Sequence, residues 1–82
     1  MKDNLKIFSE RLKELRQEKE LTAEELAKII GVSEPTISRW ENRLRIPNFL
    51  HIIALADFFG VSQDYLTGAG PLQATLQQKL VE

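Results

Sequence analysis

The chain has 82 residues, no cysteine and a single histidine, His51, and its eleven basic side chains are offset by twelve acidic ones. This length specifies one domain with a modest core. The composition leaves no disulfide framework, thiolate metal site or histidine-rich site, so no cofactor is expected. The apolar run at residues 52–56 is far shorter than the roughly 20 residues of a membrane span. Charges throughout MKDNLKIFSERLKEL leave no room for a secretion signal, so a cytoplasmic protein is expected.

Every segment reads as helix or connector, and none alternates with the period of a strand. The spacing of Leu5, Phe8, Leu12 and Leu15 predicts a first helix over residues 4–19. Its polar face carries Glu10, Glu14, Lys6 and Lys13 at distances suited to i,i+3 and i,i+4 pairs. Thr22 and Glu25 form a capping box at the head of a second helix, which Gly31 ends. Ser33 caps a third helix, with Pro35 in its first turn, where a missing N–H costs little; this helix ends near Asn42. Residues 43–46 form a loop. Pro47 and Asn48 start a fourth helix that stops at Gly60, and Ser62 caps a short fifth, residues 63–66.

The fourth helix is apolar almost all round. Phe49, Ile52, Ile53, Leu55, Ala56 and Phe59 are expected on its core side, which leaves Leu50, Ala54 and Phe58 on a second face at i, i+4, i+8. After Gly68-Ala69-Gly70-Pro71, residues 72–81 carry a matching stripe, Leu72, Leu76 and Leu80, in a candidate sixth helix. Such stripes need a cover: the tail folded back on helix four, a two-fold partner, or tails exchanged between chains. The expected organisation is a body of residues 1–68 and a tail of residues 69–82 for dimerisation or docking.

The most informative stretch is AEELAKIIGVSEPTISRW, residues 23–40. Small Ala27 lets a second helix approach closely, and Gly31 supplies a backbone angle that a residue with Cβ adopts only at a cost. This is a helix, a tight turn and a helix, with Ile37 and Trp40 inward and polar positions outward, where a major groove could receive them. The region from Leu26 to Ile53 holds Lys28, Arg39, Arg43 and Arg45 against Glu34 and Glu41, a local charge of +2 in a chain of net charge −1. A DNA face would therefore be local.

The pieces RLKELRQEKELT, EELAKIIGVS, TISRWEN, RIPN and LADFFGVSQDYLTG, in this order, resemble the Cro and lambda-repressor type (XRE) helix-turn-helix family. The resemblance covers about residues 8–68. It implies an all-α, compact five-helix lambda-repressor-like DNA-binding domain, with the helix-turn-helix at residues 23–42. It also implies a homodimer on a palindromic operator and a role as a transcriptional regulator. The chain departs from the family at Ala23, where members often place a phosphate-contacting Gln. It departs again at Glu20 and Arg43, where Gly is common, and at acidic Glu34.

On this resemblance the third helix lies in the major groove, and Ser33, Glu34, Pro35, Thr36 and Arg39 are the base-reading candidates. The Arg39 fork fits guanine O6 and N7; a phosphate contact is the alternative. Thr36 can hydrogen-bond a base or offer its methyl to thymine. Glu34 can accept from cytosine N4 or simply complement the helix dipole. Pro35 offers ring contact, and Ser33 is at least a cap. Thr22, Lys28, Ser38, Asn42, Arg43 and Arg45 are backbone candidates, which position without reading. In relatives the pair matching Arg16 and Glu41 is a buried salt bridge that fixes the recognition helix. Trp40 is read as core and His51 as a helix-surface residue near the DNA or solvent.

The expected function is that of a repressor, with double-stranded DNA and a second copy of the chain as partners. An antitoxin whose stripe covers a toxin, and a protein-interaction module on the same fold, are the alternatives. No nucleophile–base pair, metal constellation or phosphate-cradling loop points to an enzyme.

Overall fold

The computed structural model describes residues 3–68; the expected sixth helix, with Leu72, Leu76 and Leu80, lies outside them. Five helices follow one another: α1 (Asn4–Glu18), α2 (Ala23–Ile30), α3 (Glu34–Glu41), α4 (Phe49–Phe59) and α5 (Gln63–Thr67). No strand is present among the described residues, and no helix there is long and apolar enough to cross a membrane.

Each helix begins on a side chain that satisfies an otherwise orphaned backbone N–H. Asp3 accepts from Lys6 N at 3.0 Å at the head of α1. At α2 the capping box closes both ways: Thr22 Oγ1 accepts from Glu25 N at 3.0 Å, and Thr22 N donates to Glu25 Oε1 at 2.8 Å. Ser33, Asn48 and Ser62 cap α3, α4 and α5.

The first four helices end alike. One residue turns into the left-handed region, and the N–H of the next reaches back five residues to a carbonyl. These bonds run from Leu21 to Arg16, Val32 to Ala27, Leu44 to Arg39 and Val61 to Ala56. The left-handed residue is Gly31 (φ 89°) after α2 and Gly60 after α4, but Glu20 (φ 56°) after α1 and Arg43 (φ 61°) after α3. These are the two positions at which the family resemblance leads one to expect glycine, and this turn geometry is the physical reason for that expectation.

The core is one cluster: Phe8 and Leu12 of α1, Leu26 and Ala27 of α2, Ile37 and Trp40 of α3, Ile52, Leu55 and Ala56 of α4, and Leu66 of α5. Phe8 meets Trp40 edge to face, with ring centroids 6.3 Å apart. The buried Ser9 hydroxyl donates to the Trp40 carbonyl, tying α1 to the end of α3 through a contact that an apolar stripe does not reveal. Helix α3 packs on α2 and α1, and α5 on α1 and α4.

Two expectations about side chains change. Phe49, expected inward, is 69% exposed. It sits in the first turn of α4, where no other helix covers it, so an apolar residue there does not reach the core. His51, read as a helix-surface residue, is half-buried, its ring 5.2 Å from that of Trp40. The polar side chains of α1 form no ion pairs with one another: among the described residues, Arg16 and Glu41 make the one pair within 4 Å.

Candidate nucleic-acid interface

The turn between α2 and α3 sets the site. Leu26 and Ala27 of α2 bury against Ile37 and Trp40 of α3, which leaves the opposite side of α3 in solvent. Ser33, Glu34, Pro35 and Arg39 are exposed there and Thr36 is half-buried. The Arg39 side chain extends from this surface with no hydrogen-bond or ion-pair partner among the described residues, so its whole guanidinium fork is available. Thr36 is engaged: its hydroxyl lies 2.9 Å from Ser33 Oγ, which also accepts from Thr36 N at 3.3 Å. Either hydroxyl can still accept or donate outward. Glu34 stands in the first turn of α3, at the positive end of its dipole.

Thr22 and Lys28, at the two ends of α2, are both exposed. Asn42 folds back on α3, its Nδ2 donating to the Ser38 carbonyl at 2.8 Å and contacting Ser38 Oγ at 3.3 Å. Ser38 and Asn42 thus hold each other, while Arg43 and Arg45 stand exposed on the loop that follows.

A cleft of about 270 Å³ joins α3 to that loop and to the start of α4. Ser33 and Thr36 line one wall and Arg45, Asn48 and His51 the other, with Trp40 at its floor. The sequence sets Asn48 at the start of helix four and His51 near the DNA or solvent, but marks neither as a contact residue. Asn48 Oδ1 accepts from His51 N at 2.9 Å as the cap of α4, and a helix N-terminus beside an arginine favours negative charge. The Asn-x-x-His spacing marks the cap, but only the fold brings it opposite Ser33.

The orientation of α3 is fixed from α1. Arg16 meets Glu41 as a fork: Nε donates to Oε2 at 2.6 Å and Nη2 to Oε1 at 2.9 Å, while Nη1 donates to the Leu21 carbonyl at 2.8 Å. The two side chains are 16% and 8% exposed. The Glu41 hydrogen bonds, against some desolvation and with its charge adding to them, raise the Arg16 pKa above the ordinary arginine value. The Arg16 guanidinium therefore stays charged at any working pH. One cation holds the last turn of α1, the loop before α2 and the end of α3 in one geometry. Leu50, Ala54 and Phe58 do not share one environment. Leu50 is 71% exposed, Ala54 is half-buried, and Phe58 packs on Phe59 at 4.9 Å with Lys19 Nζ over its ring.

The sequence matches the family model described as Helix-turn-helix over residues 12–66, most of the chain. The chain belongs to the XRE-type helix-turn-helix family. This XRE-type domain is 41% identical over 59 residues to the HTH-type transcriptional activator BcrR of Enterococcus faecalis, covering 72% of this chain and 29% of that protein. It therefore spans less than a third of the length of that relative. Its fold is similar to the solution structure of the SOS-response transcriptional repressor LexA from Eubacterium rectale. The TM-score is 0.77 and the identity 35%, covering 87% of this chain and 76% of that one. It is also similar to the crystal structure of the P22 c2 repressor protein in complex with a synthetic operator: TM-score 0.70, 33% identity, 73% of this chain and 91% of that one. The lambda-repressor-like five-helix architecture is thus shown by sequence and structure alike.

Proposed function

We propose that this XRE-type domain binds double-stranded DNA sequence-specifically, as a dimer on a palindromic operator, and that it represses transcription by occupying that operator. The observation that carries the reading is the row Ser33, Glu34, Pro35, Thr36 and Arg39 on the side of α3 turned away from the core. Arg45 and the N-terminus of α4 share a cleft with Ser33 and Thr36 of this row, and Lys28 and Arg43 are exposed. The c2 repressor, a structural neighbour, is bound to an operator in its crystal structure, which supports the same use of the fold here.

In this reading α3 enters the major groove. Arg39 takes guanine O6 and N7 and Thr36 meets a neighbouring base edge. Glu34 accepts from cytosine N4 or repels a misplaced phosphate, which penalises the wrong register. Lys28, Arg43 and Arg45, with Thr22, Ser38 and Asn42 in support, hold the phosphates on either side. A chain with a local charge of only +2 over residues 26–53 binds weakly alone. Two copies on half-sites one helical turn apart convert this into specific binding.

The test is a binding series on an operator selected from random duplexes. Arg39→Ala is expected to cost about 1–3 kcal/mol per half-site and to relax the choice of one base pair. An Arg39→Ala protein that keeps both affinity and sequence preference would remove Arg39 from the reading.

A further inference from the structure

On the side formed by α1 and the start of α4, the domain carries a second surface, and this one is apolar. Leu5, Phe8, Ile46, Pro47 and Ile52 line a groove of about 220 Å³, with Thr67 at its edge. Ile46 is 74% exposed, and so for the most part is Phe49, one turn before Ile52 on the same side of α4. Contiguous hydrocarbon of this kind favours any apolar segment that can reach it.

The chain itself leads a segment there. The Thr67 carbonyl accepts from Asn4 Nδ2 at 2.8 Å, which pins the end of α5 to the groove wall. The next residue, Gly68, lies so close to α1 that an added Cβ would stand 2.7 Å from Ile7 Cγ2. The described residues therefore end beside the groove, with Thr67 in its lining and Gly68 against Ile7 of α1. Leu72 follows five residues after Thr67, a reach of up to about 17 Å in extended chain. Leu76 and Leu80 come at further steps of four, the spacing of one helix face. A tether this short gives an effective concentration on the order of millimolar, far above that of a second chain at micromolar protein.

We propose that residues 72–80 of the same chain cover this groove, with Leu72 and Leu76 set against Phe8, Ile46, Phe49 and Ile52. The proposal is independent of whether α3 reads DNA. It gives the leucine stripe an intrachain partner and leaves the row on α3 open.

The chain has no cysteine, so Ile46→Cys with Leu72→Cys introduces two thiols and no others. Ile46 is largely exposed, and circular dichroism checks that the full-length variant folds. Under mild oxidation the pair is expected to close an intrachain disulfide roughly tenfold or more faster than a control pair, Glu24→Cys with Leu72→Cys. The rate should not depend on protein concentration. Equal rates for the two pairs would overturn the proposal. So would a covalent dimer whose yield rises with concentration, because a second copy would then occupy the groove. A Leu72→Ser/Leu76→Ser chain supplies a thiol-free check. Its melting temperature is expected to fall by a few degrees with helicity retained, and an unchanged melting temperature would contradict the proposal.

Discussion

Arg43 combines a strained backbone with an exposed cation. Its φ of 61° places a side chain where glycine sits without penalty, at about 1–2 kcal/mol for a residue with Cβ. Glu20 carries the same strain at the end of α1. Glycine also frees the unfolded chain, which returns part of the gain. Glu20→Gly should therefore stabilise by about 0.5–1 kcal/mol, a rise of about 4 °C in Tm, and a thermal melt checks it. Arg43→Gly should raise Tm by a similar amount and at the same time weaken DNA binding. A loss of affinity without the gain in stability would show that the Arg43 backbone is not strained. A gain in stability with affinity unchanged would remove Arg43 from the phosphate contacts. The split matters because it separates what the residue costs the fold from what it contributes to the interface.

At the scale of elements, the Arg16–Glu41 fork is the joint between α1 and α3. A partly buried pair of this kind adds little net stability, because desolvation offsets attraction, but removing one partner strands the other. Arg16→Leu leaves the Glu41 carboxylate, 8% exposed, without its two donors and leaves the Leu21 carbonyl without one. The expected cost is about 2 kcal/mol, below the range for fully buried pairs because Arg16 keeps some solvent, or a fall of about 10 °C in Tm. An unchanged Tm would mean that the pair has no structural role.

Helix boundaries were legible in the sequence because caps and stops are local. Thr22 with Glu25, Ser33, Ser62, Gly31 and Gly60 each act within one turn of the chain. The inward stripe of α1 was legible for the same reason of period. Helix α4 was not, since nearly every position in it is apolar. Which faces are covered depends on where α1, α2 and α5 come to lie, so Phe49 was assigned inward and stands outside. The buried hydroxyl of Ser9 and the cleft that brings Arg45, Asn48 and His51 opposite Ser33 are likewise products of packing between distant segments. The outward row of α3 could be read in advance because two inward residues, Ile37 and Trp40, fix the helix's rotation.

For the whole molecule, the near-neutral net charge of −1 means that affinity must come from a few placed cations rather than from a basic surface. If Lys28, Arg43 and Arg45 meet phosphates in each of two protomers, as proposed, log K should fall with log salt at a slope of about −5. A titration at four or five salt concentrations measures it. A slope near zero would point to a protein partner instead of DNA.

The most direct measurement is selection of bound sequences from a random duplex library at moderate salt, using the purified full chain. An enriched inverted repeat, with half-sites about one helical turn apart and a guanine that loses its preference when Arg39 becomes Ala, is the result expected here. Failure of a folded protein to enrich any sequence would contradict the assignment of α3 as a reader of DNA.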